Sequence, residues 1–111
     1  MKQIIVCFLD RSLSRILNED IQVNVRKNGD FLDVLAGLDN IYLRKPFKAK
    51  RGNTIVKSIM QLVWDARNGK IYEDIGIESR DPENNWIPIL NDPYLAIPNE
   101  TRILITPDPG C

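Results

Sequence analysis

At 111 residues the chain is long enough for one domain with its own core and too short to join a cofactor domain to a substrate domain. Its 15 Lys and Arg balance 15 Asp and Glu, so the net field offers no footprint for nucleic acid or an anionic membrane surface, which leaves a protein as the expected partner. Histidine is absent, which removes Ser-His and Cys-His nucleophile pairs and histidine metal sites; no Gly-rich phosphate loop replaces them, so the chain reads as a non-enzyme with no catalytic residue, cofactor or metal.

The opening stretch "MKQIIVCFLD" meets Asp10 too early for a secretory signal, and no apolar run approaches the roughly 20 residues of a bilayer span. The expected location is the cytoplasm, with Cys7 and Cys111 as reduced thiols. Residues 3–9, "QIIVCFL", predict a central strand buried on both faces, in which Cys7 is a small core residue without chemistry. "RSLSRILNED" is mixed and fits a loop or a single helical turn, and "IQVNV" alternates as a half-buried strand does. Asn28-Gly29 is a hairpin signal. "FLDVLAGL" then fits either the return strand or a short helix ended by Gly37, and "NIYLRKPFKAKR" reads as extended, with Pro46 marking an edge or a bulge.

A helix over 54–70 is the clearest element, capped by Asn53, with Ile55, Ile59, Leu62, Val63 and Ala66 on one face and Asn68-Gly69 at its end. "KIYEDIGIESRD" follows as a strand, "DPENN" as a turn, "WIPIL" as a short strand weakened by Pro88 and "RILIT" as the last strand. This order predicts an α+β layer, a mixed sheet of four or five strands with one main helix across one face. Residues 1–105 form the single domain and 106–111 an exposed tail.

From about Tyr42 to Cys111 the chain resembles the ubiquitin-like β-grasp family. "KAKRGNTIVKSIMQLVWDARNGK" matches the rhythm of the family helix, entered at Asn53 to Ile55, and "IPNETRILITPDPG" matches its closing turn, last strand and glycine-ended tail. ThiS/MoaD-type sulfur carriers and ubiquitin-like modifiers use such a tail. Theirs ends in Gly-Gly, whereas here Pro109 stands where the first glycine would be and Gly110-Cys111 follow, a departure shared by some bacterial ubiquitin-like proteins linked to conjugation-type enzymes. The resemblance implies a carrier or modifier whose tail is activated by an E1-like adenylating enzyme, for protein conjugation or sulfur transfer. An E2-like enzyme and a processing peptidase are the further partners it implies. The alternative is a β-grasp subunit that never reacts and works by occupying a surface on a larger complex.

The tail residues Pro109, Gly110 and Cys111 suit delivery into another protein's site. Proline favours an extended backbone of about 3.1 Å per residue, so the tail could reach roughly 18 Å, and glycine permits close approach. Cys111 is open to three uses: removal to expose Gly110, carriage of the activated carboxylate, or attack as a thiolate. An ordinary frayed terminus is the plain alternative. Arg44, Lys45, Lys48, Lys50 and Arg51, with Phe47 among them, fit docking to an acidic partner or a nucleotide phosphate; they equally fit an edge strand guarded by lysines and a proline. Trp64 reads as core, and Trp86 as core or interface. Glu73, Asp74, Glu78, Asp81 and Glu83 read as the solvated side of a strand and turn.

Overall fold

The expected first strand forms as β1, Lys2–Phe8, in a computed structural model that describes residues 1–9, 14–17, 19–45, 61, 75–89 and 91–107. Its alternate side chains Ile4, Val6 and Phe8 are fully buried, while Gln3 on the other face is exposed and Ile5 half-buried. β2, Ile21–Val25, returns antiparallel to β1 with Ile4 opposite Val23. β3 is Ile75–Arg80 and β4 is Arg102–Pro107; they pair antiparallel with each other, and β4 pairs parallel with β1. The order across the sheet is β2-β1-β4-β3. The architecture is therefore α+β, a four-stranded mixed sheet with a helix on one face.

That helix, α1, spans Phe31–Arg44. Phe31, Val34, Leu35 and Leu38 recur at helical spacing and are buried against Ile4, Val6, Phe8, Val23 and Ile103 in one core. Asp30 caps it: its carboxylate accepts from the Asp33 amide at 3.1 Å while the Asp33 carboxylate accepts from the Asp30 amide at 3.0 Å, a reciprocal box that satisfies two free donors. The helix ends at Lys45, whose extended backbone (φ −152°, ψ 103°) is the conformation forced on a residue that precedes proline.

Three expectations are corrected here. Asn28-Gly29 does lie in a turn, closed by the Gly29 amide donating to the Arg26 carbonyl at 2.9 Å, but the turn feeds α1 and not a return strand. Gly37 does not end a short helix, and residues 40–44, expected as extended, are the last turn of α1. Gly37 sits inside because a Cβ there would come within 2.5 Å of Val23 Cγ1, so the glycine is what lets α1 settle against β2. Of the expected helix 54–70 only Gln61 falls within the described residues, where it is helical and exposed. The face Ile55, Ile59, Leu62, Val63, Ala66 and the Trp64 side chain lie outside them.

Lys2 joins the turn before α1 to the approach to β4, its ammonium donating to the Gly29 carbonyl at 3.0 Å and to the Ile97 carbonyl. Desolvation lowers its pKa, opposed by the nearby Asp33 and Asp30 charges. Among the described residues no helix is long and apolar enough to cross a membrane.

Two outcomes are expected of α1. Gly37→Ala, which in an open helix would gain up to about 1 kcal/mol, should here cost about 1–3 kcal/mol by overpacking against Val23, and should become neutral or stabilising in a Val23→Ala background; urea unfolding of the four proteins checks this. The Asp33 carboxyl is held below its ordinary 3.8 first by the Asp30 amide and further by Arg26. A depressed folded value means that its stabilisation is present above the unfolded pKa and is lost as pH falls through the folded one. The unfolding midpoint of the wild type should therefore fall more steeply than that of Asp33→Asn as pH drops from about 5 to 2.

Candidate functional site

Because side chains alternate along a strand, every strand that gives one residue to the core gives the next to the opposite face, and no helix covers that face among the described residues. β1 places Gln3 and Ile5 there, β2 places Gln22, β3 places Glu78 and Arg80, and β4 places Arg102 and Leu104. Together with the 81–84 turn and Glu100 they line a groove of about 580 Å³. Ile5 and Leu104, both half-buried, are its apolar floor, and polar and charged side chains form its rim.

The rim has an unusual electrostatic feature. Arg80 and Arg102 stand directly opposite one another across β3 and β4, an arrangement that repels unless each charge is met separately. Arg80 Nε is held by Glu78 Oε1 at 2.8 Å, and its Nη1 donates to the Asn84 carbonyl at 3.1 Å. Arg102 Nη2 is held by Asp20 Oδ2 at 2.8 Å, and the other oxygen of Asp20 takes Arg15 Nη2 at 2.7 Å. These exposed pairs add little stability. Their consequence is that each guanidinium is met by its own carboxylate, Arg80 by Glu78 and Arg102 by Asp20.

Cys7, also on this face, is 4% exposed. Burial pushes its thiol pKa up, with Arg15 opposing, so it stays protonated and a poor nucleophile at neutral pH, in accord with a core role. Of the acidic stretch, Glu73 and Asp74 lie outside the described residues, Glu78 pairs with Arg80, and Asp81 is used in turn chemistry. Asp81 accepts from the amides of Asn85 at 2.8 Å and Glu83 at 2.9 Å, which holds its carboxyl below the ordinary range, the Asn85 amide foremost. Asn84 takes the left-handed φ of 69° that closes this turn. The turn brings Trp86 opposite Arg80 and seats Ile87 against Ser79, whose buried hydroxyl donates to the Ile87 carbonyl at 2.6 Å.

The residues singled out in the sequence do not gather at this groove. Trp86 is 56% exposed at the β3 edge, beside the groove without lining it. Arg44 and Lys45 are exposed at the C-terminal end of α1, where cations favour the helix dipole, and so do not belong to an edge strand. Lys48, Lys50, Arg51, Pro109, Gly110 and Cys111 lie outside the described residues. Ile5, Leu104, Arg80 and Arg102 were not expected as a site; the signal that points to them is Gln3 inside the first apolar run, which marks one face of β1 as open. Among the described residues no three His, Cys, Asp or Glu side chains cluster as metal ligands do. Compared with protein-family models, curated proteins and solved structures, the chain matches none.

Ser79→Ala should remove the buried hydroxyl's hydrogen bond to the Ile87 carbonyl, leaving it only the Ile89 amide at 2.9 Å, and loosen the Trp86–Ile87 segment from β3. The expected result is a loss of about 1–3 kcal/mol in chemical unfolding together with faster amide exchange at Ile87, whose N–H donates to Ser79 O at 2.9 Å.

Proposed function

We propose that this chain is a ubiquitin-like β-grasp protein that acts by docking its open sheet face onto a protein partner, without chemistry of its own. The β-grasp reading is supported by the order β2-β1-β4-β3, by the parallel pairing of β1 with β4, and by a helix that follows the first hairpin. In this reading α1, and not the segment 54–70, takes the place of the family helix.

The observation that carries the docking function is the groove: an apolar floor of Ile5 and Leu104 within a rim of Gln3, Gln22, Glu78, Arg80 and Arg102. An apolar centre with a polar rim is the pattern of protein interfaces, and charges already neutralised within the chain cost less to bring against a partner. The buried, protonated Cys7 thiol argues against a nucleophile on this face.

A second reading, the carrier activated by an E1-like enzyme, with an E2-like enzyme and a peptidase as further partners, is favoured by one observation. β4 is an interior strand up to Pro107, so the segment after it departs from the middle of the sheet and not from an edge. Intact mass after incubation with ATP and an adenylating enzyme separates the readings. An adenylate or thioester lost on deletion of residues 108–111 supports the carrier; its absence supports docking alone.

The docking reading predicts that Ile5→Asp with Leu104→Asp lowers capture of the partner at least tenfold while circular dichroism stays unchanged, because both side chains lie on the open face. Arg44→Glu with Lys45→Glu should leave capture intact. Equal capture by the Ile5 and Leu104 double variant and the wild type would sink this reading.

A further inference from the structure

The two outer strands of the sheet are guarded differently. The β3 edge is covered by the chain itself through the Ile87 amide and the Ser79 hydroxyl. β2 lacks two of the usual protections, since Ile21–Val25 carries no charge and no proline, and among the described residues nothing hydrogen-bonds to its outer side. The backbone direction follows from β1. The amides of Ile5 and Leu9 donate to Thr101 and Ile105, so the odd residues of β1 face β4, and the even residues Ile4 and Val6 face their register partners Val23 and Ile21. Gln22 and Asn24 therefore turn their N–H and C=O groups outward.

Around this edge the sequence is complementary to its own reverse. Glu19-Asp20-Ile21-Gln22-Val23-Asn24-Val25-Arg26-Lys27, laid antiparallel on a second copy about Val23, sets Gln22 against Asn24, Ile21 against Val25, Asp20 against Arg26 and Glu19 against Lys27. This register pairs the outward-facing residues with one another, as an antiparallel ladder requires. A register shifted by two residues leaves Asp20 or Arg26 facing an amide.

We propose that the chain forms a two-fold dimer by antiparallel pairing of β2 with β2 of a second copy, Val23 on the axis, joining the two sheets into one. Asp20 already holds Arg15 and Arg102, and Arg26 holds Asp33 at 3.2 Å, so the new attraction rests on Glu19 and Lys27. Both are exposed and neither makes an ion pair among the described residues. They lie in the bend before β2 and the turn after it, where two-fold symmetry would bring each Glu19 towards the other copy's Lys27, and this attraction favours the register over parallel or slipped ones. The surface differs from the open-face groove, so this dimer goes beyond the docking function proposed above.

The test is sedimentation equilibrium of the full chain at low salt, from about 5 to 500 µM. A single short strand pair makes a small interface, for which a reversible dimer with Kd of about 10–100 µM is expected. Lys27→Glu sets like charges opposite twice and should weaken the dimer about tenfold; adding Glu19→Lys should restore it to within about twofold. Asn24→Pro removes an outward amide and leaves the β1 pairing intact, so it should be monomeric with an unchanged circular dichroism spectrum. A chain that is monomeric throughout the range overturns the proposal, as does a dimer indifferent to Lys27→Glu and Asn24→Pro, or one that the charge swap fails to restore. The Ile5→Asp, Leu104→Asp variant should dimerise as the wild type does, which keeps a failure of the docking reading distinct from a failure of this one.

Discussion

Two parallel strands cannot be joined by a tight turn, and the pairing of β1 with β4 in register from Ile5–Arg102 to Phe8–Ile105 therefore governs the path of everything between them. The chain needs a crossover that returns it to the end from which β1 started. α1 takes up the first part of that crossing, and its apolar stripe seals Ile4, Val6 and Phe8 from water. β4 arrives last and is fully buried at Ile103 on the same side. The return is tied to the start by Lys2, which holds Gly29 and Ile97 together, and by the Glu100 amide on the Gln3 carbonyl at 2.7 Å. These contacts gather the two ends of the crossing at one corner of the sheet.

With α1 packed on one face, the other carries the residues that alternation sends there. That is why a half-buried Leu104 and a half-buried Ile5 lie beside charged side chains, and why two arginines meet across β3 and β4. A buried face could not tolerate that arrangement, since each charge would lose its hydration and keep only a modest partner. Here Glu78 meets Arg80, and Asp20 meets Arg102 together with Arg15, at the surface, so the charges cost the fold little and decorate the groove.

The strands were legible because their signals are local. Apolar runs and alternation located β1, β2 and β4, and β3 lies within the stretch expected as a strand, but the short strand expected from Trp86 is only a single bridge to Arg80. α1 is obscured by two signals that read differently once the tertiary contacts are seen. Gly37 looks like a terminator until Val23 is seen against it. Asn28-Gly29 looks like a hairpin until the Asp30 and Asp33 box is recognised as a helix start with aspartate where glutamate is usual. Pro46 looks like the mark of an edge strand or a bulge, but the residue before it, Lys45, is the cap of a helix. The groove was less legible still, because it depends on register. No sequence pattern states that Arg80 faces Arg102, or that Ile5 and Leu104, 99 positions apart, share one floor.

The edge and the face are not independent surfaces, because Gln22 belongs to both. Its backbone turns to the outer side of β2, and its side chain lines the groove. A two-fold axis that pairs β2 strands in the plane of the sheet runs normal to it, so both copies present their open faces on the same side. The two grooves then lie on one continuous surface, and a partner that carries two docking segments meets the second at a high effective concentration once the first is bound. Weak pairing at the edge is enough for this. The partner's own binding would draw the two copies together, and the strength of the proposed dimer and the strength of docking would rise as one.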